Sequence, residues 1–231
     1  MLAGHYSTAL LAHQKFPKGT LLYFLVVSQL QDFLWFIFHY LGLEPTEPSD
    51  AFDATLGNMY VDMLYSHDLI PQIVWMLIIF IAGRLIFKSN KIGLVGALIL
   101  LGHFVLDFFS GHPHHLFGAD SHEVGLGLYA SAPYLAIGIE VLFCAITLWY
   151  FFSQEAKKGI QRTFKNKAII IGVFVYGIGF MLSTASVSLR QTLGIPEFDL
   201  GFNTLVPTLI FTYLTMLFVL NFSIPKFEIR K

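Results

Sequence analysis

Charge is what this chain has least of. Asp, Glu, Lys and Arg make up 13% of its 231 residues and apolar residues 55%, whereas a soluble domain carries about 25% charge on about 45–50% apolar residues. Too little polar surface is left to cover a water-facing globule. With a mean hydropathy of +0.66 the chain reads as a polytopic membrane protein. The one cysteine, Cys144, sits in an apolar run and excludes an internal disulfide framework. A net charge of −1 leaves no basic footprint, so no nucleic acid is expected as a partner. The stretch from Met1 to Gln14 has no basic n-region, and His5 and His13 interrupt it, so it does not read as a signal peptide. Internal repeats, low-complexity tracts and soluble domains are likewise absent.

Hydrophobic runs are plentiful. A spanning helix takes about 20 mostly apolar residues, and six such runs are expected: Gly19–Leu43, Ile70–Phe87, Ile92–Phe109, Ala132–Phe152, Lys167–Leu189 and Leu205–Phe222. The short link Lys88–Lys91 makes the second and third an antiparallel hairpin. The expected fold is all-α, a single membrane domain. Residues 1–152 hold its polar candidates, and 153–231 read as a C-terminal helical hairpin that packs on them.

Basic residues are distributed one-sidedly. Lys15 and Lys18 precede the first span, Arg84, Lys88 and Lys91 lie between the second and third, and Lys157, Lys158, Arg162, Lys165 and Lys167 between the fourth and fifth. Lys226, Arg230 and Lys231 end the chain. Only Arg190 falls on the other side, with Glu44, Glu47, Asp50, Asp53, Asp62, Asp120 and Glu123. Cytoplasmic loops carry the excess of Lys and Arg. The expectation is a bacterial inner membrane protein with its C-terminus in the cytoplasm. The segment Leu2–Gln14 is too short to cross. It either lies flat at the interface or dips in as a half-helix that turns at Lys15–Lys18. The half-helix would bring His5 and Asp32 to a similar depth, about 18–22 Å above the turn.

Ionisable side chains inside spans are costly and face a partner or a wet cavity. Asp32 is one. His103 and Asp107 are another pair, at i and i+4 on one helical face with Cβ atoms about 5–6 Å apart. Glu140 lies inside the fourth span, and His67 and Asp68 abut the start of the second. Imidazole with carboxylate is a ligand set for Zn²⁺ and similar divalent metals, and a carboxylate-rich site suits more than one ion. Each residue alone also fits interhelical hydrogen bonding or a proton relay. His13 and His39 read as structural; His112, His114, His115 and His122, individually, and Asp50, Asp53 and Asp62 read as solvated loop residues.

Ordered motifs add to this. Gly42-Leu43-Glu44, Tyr65-Ser66-His67-Asp68, Gly102-His103-Phe104-Val105-Leu106-Asp107, Gly111-His112-Pro113 and Gly125-Leu126-Gly127-Leu128-Tyr129-Ala130-Ser131, followed by Glu140, resemble the YdjM-like membrane-bound metal-dependent hydrolases. The resemblance covers about residues 3–150. Asp68, Gly102 and Tyr129 depart from the family pattern, which has Ser, Ser and Trp there; none removes a candidate ligand. The resemblance implies a metal centre of His5, Asp32, His67, His103 and Asp107, with His112 and Glu140 as further candidates. The order of these residues is also distantly similar to zinc-dependent phospholipase C and P1-type nuclease folds.

The function expected is a membrane-embedded hydrolase using Zn²⁺ or another divalent metal, with Asp68 or Glu140 as general base. Its substrate would be a lipid or amphiphile with a phosphoester. The alternative is an ion- or proton-coupled transporter using the same buried cluster, for which six spans would call for a homodimer.

Overall fold

A computed structural model describes residues 1–116, 118–198 and 200–225, and the backbone of 228–229. Lys226, Arg230 and Lys231, part of the charge asymmetry, lie outside the described residues. The fold is all-α: α1 (Leu2–Lys15), α2 (Leu21–Ser28), α3 (Leu30–Tyr40), α4 (Leu69–Phe87), α5 (Asn90–Ser110), the short α6 (Leu128–Ser131), α7 (Pro133–Lys157), α8 (Phe164–Ser183), the short α9 (Leu189–Leu193) and α10 (Leu205–Ser223). Three two-residue antiparallel ladders are the strands among the described residues. Five helices, α4, α5, α7, α8 and α10, are long and apolar enough to cross a membrane, and α2 with α3 makes a sixth if the pair is one span.

The first apolar run is not one continuous helix. α2 and α3 meet at a bend of 59°, where Gln29 leaves helical geometry at φ −118°, ψ 13°. Polar residues cause the break. Gln29 Nε2 donates to the Leu2 carbonyl at 3.0 Å, and the Ser28 carbonyl, freed from the helical ladder, bonds His103. The fifth run also departs from expectation, ending at Ser183 rather than Leu189. There the hydroxyls of Ser183 and Thr184 both donate to the Phe180 carbonyl, an alternative to the helical ladder that Ser and Thr offer. It begins at Phe164 because Thr163 caps it, accepting from Asn166 N. Ser89 caps α5 in the same way.

α1 is buried from Leu2 to Leu10 except at Thr8, against α2, α5, α7 and α8. It sits inside the bundle, not against its outside. At about 1.5 Å per residue it is about 21 Å long, short of the ~30 Å hydrocarbon core, so it is a half-helix starting at the centre of the molecule. α4 and α5 form the expected hairpin and touch closely: a Cβ on Gly93 would lie 2.3 Å from the Phe80 carbonyl oxygen. The opposite face of α4 is exposed at Ile73, Leu77, Ile81 and Leu85.

The charge asymmetry maps onto two ends of the bundle. At one end Lys91 lies over the Phe16 ring, Lys158 Nζ donates to the Gln14 carbonyl at 3.1 Å, and Arg162 holds Glu155, Asn166 and the carbonyls of Ser223 and Ile224. At the other end Arg190 pairs with Asp50 and Asp53. Those two aspartates are therefore not merely solvated; they anchor the 44–68 loop to α9.

Candidate metal centre

α5 supplies the middle of the site. His103 and Asp107, one turn apart, are both buried, with His103 Nε2 3.1 Å from Asp107 Oδ2. α1 brings His5 alongside: its ring stacks on His103 with centroids 3.6 Å apart, and its Nε2 is 3.1 Å from Asp107 Oδ1. From the other side Asp32, in the first turn of α3 where a helix N-terminus favours negative charge, faces His103 Nε2 at 3.7 Å through Oδ2 and His67 Nε2 at 3.6 Å through Oδ1. Two buried triads result, His5/His103/Asp107 and Asp32/His67/His103, each with ligand atoms close enough to hold a metal ion.

The second nitrogen of each imidazole fixes what the first offers. His103 Nδ1 is 2.8 Å from the Ser28 carbonyl, which only accepts, so Nδ1 carries the proton. His67 Nδ1 is 2.7 Å from Ser66 Oγ, and that hydroxyl donates to Glu44 Oε2 at 2.8 Å, so it accepts from His67. In the neutral form of either ring Nε2 then bears a lone pair aimed at carboxylate oxygens. Acceptors facing acceptors repel unless a cation lies among them. His103 Nε2 and Asp32 Oδ2 have no hydrogen-bond partner, although buried polar atoms are ordinarily satisfied. A backbone carbonyl or a Ser–carboxylate pair behind a histidine is the usual support of a metal-binding imidazole. The amino nitrogen of Met1, itself cationic, lies against Asp107 and 3.0 Å from His5 Nε2. The donor set and its unpaired atoms fit a divalent metal ion.

His112 and His114 line the same cavity as Asp32, His67 and Asp107. His114 is buried and stacks on His67 at 5.2 Å, against the expectation of a solvated loop residue. Burial pushes His112 down to about 4 and His114 down to about 3, so both are neutral at pH 7, and neither Nε2 has a hydrogen-bond partner. His115, by contrast, is only partly buried, and His122 is exposed. His13 bonds the Gly19 carbonyl.

The two residues expected as general bases each commit one oxygen to a structural bond, while the other, Glu140 Oε2 and Asp68 Oδ2, has no hydrogen-bond partner. Glu140 Oε1 accepts from Ala3 N at 2.5 Å and Gly4 N at 2.9 Å. It caps α1, whose buried N-terminus has otherwise unpaired N–H groups and a positive dipole end. Asp68 Oδ1 accepts from His115 N at 2.8 Å and holds the loop that carries His114; burial raises its carboxyl above the usual range. Asp68 lines a neighbouring cavity that also has His112 and His114 in its wall, not the one lined by Asp32, His67 and Asp107.

Residues missed in the sequence complete the cavity. Trp35, Met63, Tyr129 and, from the C-terminal third, Phe180, Leu209 and Tyr213 wall it. α8 and α10 thus do more than pack. No protein-family model, curated protein or solved structure matches the chain.

Proposed function

We propose that the protein is an integral-membrane hydrolase that uses a divalent metal, Zn²⁺ by its donor set, on a lipid or amphiphilic phosphoester in the half of the membrane nearer the acidic loops. The observation that carries this reading is the convergence of His67 and His103 Nε2 on carboxylate oxygens of Asp32 and Asp107, with both Nδ1 atoms already committed elsewhere and Asp32 Oδ2 unpartnered. His103, Asp107, His5, Asp32 and His67 would hold the metal, with His112 and His114 at its open side. A bound Zn²⁺ would supply Lewis acidity and lower the pKa of a coordinated water towards about 7.

The chain's own residues do the rest. Ser28, Ser66 and Glu44 fix the imidazole tautomers. Glu140 holds α1, and so His5, in place; Asp68 holds the loop of His112 and His114. Asp32 Oδ2, buried and without a hydrogen bond, is an acceptor for a proton released in the cavity. The basic end of the bundle is assigned to the cytoplasm of a bacterial inner membrane, and the YdjM-like resemblance agrees with this assignment.

The test is metal content, by elemental analysis of detergent-purified protein, beside a His103→Ala/Asp107→Ala double variant. Near-stoichiometric zinc in the wild type, lost in the folded variant together with hydrolysis of a phosphodiester probe such as bis(p-nitrophenyl) phosphate, is expected. Wild-type protein that stays metal-free after reconstitution with zinc overturns the proposal. The broken α2–α3 span favours a second reading, because discontinuous helices build the ion sites of secondary transporters. That reading requires cation-dependent uptake in proteoliposomes and no turnover of the ester.

A further inference from the structure

The cavity beside the triads continues into another. Leu56, Met59, Phe180 and Leu209 line it and also line a second cavity of about 160 Å³. Among the described residues, Thr55, Thr184 and Thr208 are the only polar side chains of that second lining; the rest is apolar. It lies among the ends of α8 and α10 nearer the acidic loops, with residues 51–59 closing it. That closure is pinned: Leu56 N donates to the Thr184 carbonyl at 2.8 Å, and Ala51 N to Thr204 Oγ1 at 2.9 Å.

Resting on the metal-hydrolase reading above, we propose that the second cavity holds a segment of the hydrocarbon chain of a single amphiphile drawn from the bilayer, its polar head at the His/Asp cluster. Three observations select that occupant. The shared walls make one lining that is polar at the cluster and apolar beyond it, the polarity sequence of a lipid. The volume is close to the ~150 Å³ of an apolar cavity that stays dry and takes up a hydrocarbon such as benzene, above the voids of a packed interior, and an apolar lining offers water too few hydrogen-bond partners to fill it. The surrounding helices are lipid-facing, so acyl chains are the hydrocarbon at hand.

Such a chain leaves one apolar medium for another, because lipid tails are as apolar as leucine. The cavity therefore adds little affinity. Its role is positional: with the tail seated, the head group cannot drift from the cluster. The C-terminal third, through Phe180, Thr208 and Leu209, becomes the part of the protein that reads the chain.

The experiment is photo-crosslinking of the zinc-loaded, detergent-purified protein with a lysophosphatidylcholine whose acyl chain ends in a diazirine. Cross-linked peptides are mapped by mass spectrometry, and metal content is measured on the same sample. Crosslinks within residues 51–59 and 205–209 are expected. They should be lost in Thr208→Trp and in Ala54→Trp, each of which fills the cavity, with metal content unchanged. Crosslinks confined to outward residues such as Phe211 and Phe218, or inner crosslinks that survive both tryptophans, overturn the chain site while leaving the metal reading intact. Metal-free protein that still shows tryptophan-sensitive inner crosslinks sinks the hydrolase reading and leaves the chain site standing.

Discussion

At the residue scale, the imidazoles at the centre differ in what stands behind them. His103 leans on a backbone carbonyl, which no side-chain substitution removes. His67 leans on Ser66, and Ser66 on Glu44, whose other oxygen also accepts Tyr65 N and Ser66 N. Ser66→Ala should therefore lower metal affinity by about 10–100-fold, the usual effect of losing such a support, in a competition titration against a chelator; unchanged affinity would detach His67 from the metal. Glu140→Ala should act on α1 instead. Two N–H groups lose their acceptor, at about 1–3 kcal/mol for each group left buried and unpaired, while Glu140→Gln keeps an acceptor oxygen and should lie much closer to wild type in thermal unfolding.

The sequence displayed some of these roles and hid others. The spacing of His103 and Asp107 on one helix face is local, so it was visible. The burial of His114 depends on Asp68 reaching the loop after α5, a contact 47 residues apart that no spacing reveals. Glu140 was legible as a buried carboxylate. What it caps became visible only once α1 was seen to begin inside the bundle.

At the element scale, α4 is the least supported helix. It buries only Gln72 and Gly83 and is held chiefly by α5, through the approach at Gly93 and the bond from Gln72 Nε2 to the Leu100 carbonyl at 2.7 Å. Gly93→Leu should force the pair apart at about 1–3 kcal/mol, the cost of overpacking. Because α4 follows directly on Ser66-His67-Asp68, the same variant should also lose part of its bound metal. Gly172→Leu, where an added Cβ meets nothing within 4 Å, is the control expected to leave both unfolding temperature and metal content alone. The α4–α5 hairpin was plain from hydropathy and the short basic link. The α2–α3 break was not, since hydropathy averages over the single residue, Gln29, at which direction changes.

For the whole molecule, two buried arginine knots lie at opposite ends. Arg162 binds Glu155 through two nitrogens at 2.6 and 2.7 Å and so ties α7 to the end of α10. Removing one partner of a buried pair leaves an uncompensated charge, at about 3–5 kcal/mol. Arg162→Met should thus lower the unfolding temperature sharply, and Arg162→Met/Glu155→Met should recover most of the loss. A ligand that binds only the folded state stabilises it by about 2.7 kcal/mol at a hundred times its Kd. Zinc should accordingly raise the unfolding temperature of the wild type and leave that of His103→Ala unmoved. The five or six apolar helices, and the separation of basic from acidic loops at two ends, could be read from hydropathy and charge. The walls that α8 and α10 give the cavity could not, because an apolar residue facing a void reads like one facing a neighbour.

The sharing of His103 between the triads has an arithmetic of its own. Its Nδ1 proton is committed to Ser28, so one electron pair on Nε2 must serve whichever ion claims it. The two triads are therefore rivals for a single donor. A zinc titration followed by calorimetry should fill one position tightly and a second much more weakly, the second having to rely on His67, Asp32 and the loop histidines. Two equal, independent steps would mean that the imidazole turns on binding and gives up the Ser28 carbonyl.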